Sequence, residues 1–144
     1  MKKLFVANWK MNLNIAESEK LTSRLRANIK ALDGALVICP NFVALNSVSS
    51  IIKTYADSNF AVGAQNINEN DLGAFTGEVS GTMLKGLVDY CIVGHSERRI
   101  IFAETDETIA KKVAACFRNK IIPILCVGEN LHQRQENLAK RTII

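Results

Sequence analysis

An imidazole, an ammonium and several carboxamides recur at one kind of place in this sequence, just after an apolar run. His95 follows Tyr90-Cys91-Ile92-Val93-Gly94 and precedes Ser96-Glu97-Arg98-Arg99. Asn8 and Lys10 come after the run that begins at Leu4, Gln65 and Asn66 after Phe60 to Ala64, and Glu129 after Ile121 to Gly128. Tyr90 to Val93 fits a strand buried on both faces. Gly94 ends it, and Ser96 is a good N-cap for a short helix through Arg99. His95 then sits at a strand's C-terminal end beside the positive end of a helix. An added proton is disfavoured there, so the ring stays neutral and donates a hydrogen bond. A lysine next to such a donor can stabilise an enediolate or a phosphorylated substrate, because both bring negative charge into a dry pocket. Two plainer roles stand beside these: a histidine satisfied within a βα turn, and a Lys10–Glu97 salt bridge, which leaves the functional role open.

The elements that must position these groups alternate along the chain. Leu4 to Trp9, Ala35 to Cys39, Phe60 to Gln65, Tyr90 to Val93 and Ile121 to Val127 read as strands. Pro40 stops the second, and Pro123 lies near the start of the fifth, where its missing N–H matters least. Helices are expected over 15–32, with apolar residues on one face, and over 43–55, 80–87, 96–99, 106–117 and from Asn130 onward. Thr105 is a plausible cap for the helix at 106. Asn66 to Gly77 is a polar, glycine-punctuated loop, long for a βα connection. Strand and helix alternate five times without a linker or a sequence repeat, so the chain is expected to form a single domain. The pattern calls for parallel strands with helical crossovers. It leaves two architectures open: an open five-stranded sheet or part of a (β/α)8 barrel. In either, ligands gather where strand C-termini meet helix N-termini.

Bulk properties narrow the partners. The chain has 144 residues, 48% of them hydrophobic, enough for one core of ordinary domain size. Its net charge of +4 is mild, and Lys and Arg occur as scattered doublets, so no nucleic-acid partner is expected. Cys39, Cys91, Cys116 and Cys126 lack metal-ligand or C-x-x-C spacing and read as reduced, mostly buried thiols, with no metal site. No 18-residue apolar span occurs, and the start is too quickly polar for a signal peptide, so a cytoplasmic protein without a membrane partner is expected.

Four motifs fall in order along the chain: Ala7-Asn8-Trp9-Lys10-Met11-Asn12, Gly73-Ala74-Phe75-Thr76-Gly77-Glu78-Val79-Ser80, Val93-Gly94-His95-Ser96-Glu97-Arg98-Arg99 and Leu125-Cys126-Val127-Gly128-Glu129. Together they resemble the triosephosphate isomerase family, and the resemblance covers the whole chain. It implies a (β/α)8 barrel and an isomerase of glycolysis and gluconeogenesis, which interconverts dihydroxyacetone phosphate and glyceraldehyde 3-phosphate through an enediolate without a cofactor. By resemblance, the catalytic residues are His95, Lys10 and Glu97, with Asn8, Trp9 and Lys10 binding substrate. This family is itself the standard example of a neutral histidine at a helix N-terminus, so that part of the reading of His95 is not independent of the resemblance. The resemblance also makes 66–78 a dimer loop, with Gln65, Thr76, Gly77, Glu78 and Arg98 at an interface where Glu78 and Arg98 pair across chains. Without the resemblance, the loop reads as a solvated connection.

The family pattern continues beyond five βα units, since a (β/α)8 barrel takes about 250 residues. Strand six with its glutamate base, the lid and the phosphate-gripping loops have no counterpart in these residues, and Glu97, Glu104 and Glu129 do not match the base position. The expectation is a partial barrel, not closed within one chain, that turns over little unless a C-terminal chain complements it. A second copy is expected to cover the open strand edges. A non-catalytic anion-binding module and a purely structural piece remain the alternatives.

Overall fold

The computed structural model describes residues 3–29, 32–54, 59–129, 131–136 and 138. Five strands, β1 (Lys3–Asn8), β2 (Gly34–Cys39), β3 (Phe60–Ala64), β4 (Tyr90–Val93) and β5 (Ile122–Leu125), pair in chain order into one sheet, every pair parallel. Parallel neighbours need a crossover. It is supplied by α1 (Ile15–Asn28), α2 (Phe42–Lys53), the single turn α3 (Gly81–Leu84) and the pair α4 (Ser96–Ile101) and α5 (Asp106–Arg118), while α6 (Leu131–Gln135) follows β5. The result is a curled partial (β/α)8 barrel.

Strand alternation divides the side chains between two faces. On the convex face, Ile38, Val62, Ala64, Cys91 and Val93 pack with Ala44, Leu45 and Val48 of α2 and Ile109, Ala115 and Cys116 of α5 in one buried cluster. Each fully buried Val or Ile there contributes about 1.5–3 kcal/mol. On the concave face, Val37, Cys39 and Ile92 form a smaller cluster with Ala61, Tyr90, Ile124 and Cys126. Gly63 is required there: a Cβ at this position would stand 2.5 Å from Cys39 Sγ and 2.9 Å from Val37 Cγ1. Leu4, Phe5 and Val6 of β1 and Ile122 and Leu125 of β5 are exposed, as two outer strands with one paired side each must leave them.

The expected elements are present with shifted ends. Trp9 and Gln65 fall just outside β1 and β3, and β5 is the shorter stretch 122–125. The first helix stops at Asn28, because Ile29 turns extended (φ −93°, ψ 91°) and its N–H closes on Leu25, so Leu32 lies outside it. The helix expected over 80–87 is only Gly81–Leu84, capped by the Ser80 hydroxyl. Ser96 does not cap α4. His95 does, its ring nitrogen accepting the Glu97 N–H. Thr105 caps α5 as expected. Cys39, Cys91 and Cys116 are buried free thiols, and Cys126 is half-buried. Tyr55 and most of the stretch after Gln135 lie outside the described residues. Among the described residues, no helix is long and apolar enough to cross a membrane.

Candidate active site

Every chemically interesting side chain sits at the C-terminal end of the sheet. Asn8 is the last residue of β1, Gln65 follows β3, and Gly94 leads from β4 into His95. Gly94 holds φ +71°, where a side chain is strained, and this turn swings the imidazole off the strand and onto the start of α4. Trp9 points the other way. Alternation after Asn8 sends the indole to the convex face, where it packs against the main core, so it does not line the site.

Lys10 occupies the left-handed region at φ +55°, unusual for a residue with a side chain. Three bonds surround that backbone. Asn8 Oδ1 accepts the Lys10 N–H at 2.9 Å, and the Gln65 carboxamide donates to Lys10 O at 2.9 Å and to Cys39 O at 2.9 Å. Both Gln65 partners are carbonyls, which fixes its nitrogen toward them. Trp9 N–H meets the same Cys39 carbonyl at 3.0 Å, stitching the ends of β1 and β2 together.

The Lys10 ammonium is hydrogen-bonded to Glu97 Oε1, and this bond holds the Glu97 carboxyl below its ordinary range. His95 Nδ1 accepts the Glu97 N–H at 3.2 Å, so Nδ1 carries no proton and Nε2–H is the ring's donor. These groups share a concavity of about 230 Å³ lined by Asn8, Lys10, Gln65, Asn66, His95 and Glu97, with Phe42 and Phe102 adding apolar wall.

Beneath the concavity lies a network whose members the sequence gives no way of joining. Glu104 Oε1 accepts from both Lys112 Nζ and Arg98 Nε, and Lys112 also donates to Asn66 Oδ1 at 2.9 Å. The side chains of Glu104 and Lys112 are each only 6% exposed. Burial raises the Glu104 carboxyl, and the bonds from Lys112 and Arg98 more than reverse it, so it titrates below the ordinary value. The network ties the end of β3 and α4 to α5. Asn66 was visible in the sequence only as a polar residue after a strand, Glu104 only as a carboxylate that does not match the family's base, and Lys112 only as part of a doublet.

Of the residues expected at an interface, Gln65 lies inside the site, while Thr76, Gly77 and Glu78 are exposed. Glu78 accepts from Asn68 Nδ2 at 2.9 Å, and Arg98 stands over the Phe102 ring at 4.7 Å while bound to Glu104. Within this chain, Glu78 and Arg98 thus have separate partners. The long loop is moored to α5 through Asp71, which accepts from Asn119 Nδ2 at 2.7 Å and Arg118 Nε at 3.1 Å. Among the described residues, no three of His, Cys, Asp and Glu gather as metal ligands.

Parallel βα units with their polar groups collected at the strand C-termini define the catalytic-face pattern of barrel enzymes. The family model for triosephosphate isomerase matches residues 3–144. Among curated proteins, the chain is 43% identical to the triosephosphate isomerase of Clostridium tetani over 99% of its own length and 55% of the relative's. It is 45% identical to that of Clostridium beijerinckii over 99% and 57%, and 43% identical to that of Clostridium botulinum over 97% and 56%. The chain belongs to the triosephosphate isomerase family, and it spans about half the length of the curated relatives it matches.

Proposed function

We propose that this chain supplies the electrophilic side of a triosephosphate isomerase pocket, acting on dihydroxyacetone phosphate and glyceraldehyde 3-phosphate without a cofactor. The observation that carries the reading is the convergence of the Lys10 ammonium, the His95 Nε2–H and Asn8 on one concavity at the strand C-termini. In this reading, Nε2–H polarises the substrate carbonyl, Lys10 offsets the charge of enediolate and phosphate, and Glu97 aims Lys10. Fixed donors of this kind need no reorganisation as charge develops, which is what makes them effective in a site shielded from water.

The base comes from elsewhere. Glu97 is committed to Lys10, and Glu104 is buried between Arg98 and Lys112. A missing general base costs typically ~10²- to 10⁴-fold in rate. Turnover therefore depends on residues beyond the five units described, either in the same protein or on a complementing chain. A homo-oligomer is part of the same proposal: the Thr76 loop of one copy reaches toward Asn8 of another, and Gln65, Gly77, Glu78 and Arg98 border that contact. Binding of phosphorylated anions without turnover is the second reading, favoured by the engagement of Glu97 with Lys10 and of Glu104 with Arg98 and Lys112.

Titration with 2-phosphoglycolate, followed by amide shifts, tests the site. Saturable shifts at Lys10 and His95, lost in Lys10→Met, are expected. No shift at millimolar ligand would discard both readings.

A further inference from the structure

Gln65 was expected at an interface between chains, yet both of its amide hydrogens are used inside this one. One goes to Lys10 O at 2.9 Å and the other to Cys39 O at 2.9 Å. Lys10 O belongs to the residue at φ +55°, and an ordinary side chain at that angle relaxes unless its surroundings hold it. Asn8 Oδ1 secures only the amide side of Lys10, through its N–H. On the carbonyl side, the bond the structure shows is the one from Gln65. Cys39 is buried at the end of β2, so the carboxamide braces Lys10 against the rigid part of the sheet rather than another loop. Gln65 itself leaves the last residue of β3, a strand whose end is buried. The brace therefore links three strand ends and meets the strained residue at one atom.

We infer that Gln65 is a positioning residue of this site: its carboxamide locks the left-handed backbone of Lys10 and so aims the ammonium at Glu97 and the concavity. This rests on the proposed function for calling Lys10 a substrate-facing cation, but the positioning itself is a property of the chain. A carboxamide suits the task because it offers two N–H groups from one atom to two carbonyls. An apolar side chain of similar size fills the space and offers neither. The titratable side chains facing Glu97 are Lys10 and His95, and the Lys10 bond is the larger influence on its carboxyl, so its titration reports where the Lys10 ammonium stands.

The test uses the full chain as Gln65→Met, Lys10→Met and the double variant. The Glu97 carboxyl is titrated by carbon NMR, and 2-phosphoglycolate affinity is measured alongside. In Gln65→Met, the Glu97 midpoint is expected to rise toward its ordinary 4.5. Affinity should fall by about fivefold to tenfold, the worth of the one neutral hydrogen bond that holds Lys10. On the Lys10→Met background, Gln65→Met should change neither quantity, because the effect passes through Lys10. An unchanged Glu97 midpoint in folded Gln65→Met, or a shift of equal size on both backgrounds, overturns the inference. If that variant does not fold, Gln65→Asn, which keeps the amide and shortens its reach, carries the same titration under the same criteria. If 2-phosphoglycolate does not bind the parent chain, the functional reading fails while the titration still decides the role of Gln65.

Discussion

Replacing Glu104 by Gln removes one negative charge from between two positive ones and changes little else in shape. The side chains of Glu104 and Lys112 are 6% exposed, and Arg98 keeps 26% of its side chain in contact with solvent. Arg98 can therefore recover hydration, and Lys112 cannot. In Glu104→Gln, the Lys112 ammonium retains Asn66 Oδ1 at 2.9 Å and a neutral amide oxygen, but no counter-charge. Removing one partner of a buried ion pair costs about 3–5 kcal/mol. Because the new carboxamide still accepts a hydrogen bond, about 3 kcal/mol is expected. For a chain of this size that lowers Tm by about 10 °C. Urea and thermal unfolding followed by circular dichroism at pH 7 measure it, with Lys112→Met/Glu104→Gln as the partner variant. The double variant should recover part of the loss, since no buried charge is then left alone. The pH dependence follows from the lowered carboxyl. Its contribution is complete above the ordinary 4.5 and is lost as pH falls through the depressed native value. The stability gap between parent and Glu104→Gln should therefore narrow below pH 4.5. A loss under about 1 kcal/mol at pH 7, or a gap that is flat with pH, would refute the assignment of a buried, charged triad.

Three further outcomes are expected. Gly63→Ala should cost about 1–3 kcal/mol in urea unfolding, because the new methyl meets Cys39 Sγ at 2.5 Å. Iodoacetamide at pH 8 should leave Cys39 and Cys91 unmodified until the chain unfolds: burial pushes the Cys39 thiol up to about 12, and the Cys116 contact together with burial raises Cys91. The bonds from Asn119 and then Arg118 hold Asp71 below its ordinary 3.8. Asp71→Asn should accordingly speed amide exchange in residues 68–79 at pH 6 without unfolding the sheet, and the parent loop should loosen only as pH falls through the depressed value.

What the sequence disclosed and what it hid divide along a physical line. A four-residue apolar run closed by Gly94 is local information, and it placed His95 at a strand end correctly. The cap on α4 fell one residue early, because the imidazole of His95 does what Ser96 was expected to do, and histidine is not among the usual cap residues. The apolar spacing that extended the first helix to Leu32 ignored the extended turn at Ile29, where the chain leaves α1. Trp9 was grouped with Asn8 and Lys10 through the family resemblance, although strand alternation already sends it to the opposite face. Positions 66, 98, 104 and 112 meet only after β3, α4 and α5 pack, so no spacing could reveal their network. The same is true of Gln65, whose partners at 10 and 39 lie on two other strand ends.

The central claim is that Lys10 and His95 are the electrophilic half of an isomerase pocket that needs a base from outside these units. The most direct measurement joins residues 3–129 to the remaining units of the Clostridium tetani relative and follows triose phosphate isomerisation, beside the 144-residue chain alone. The joined protein should turn over, Lys10→Met and His95→Gln should each remove most of that rate, and the chain alone should show none. A folded but inactive joined protein, a rate indifferent to both substitutions, or brisk turnover by the chain alone would contradict the account.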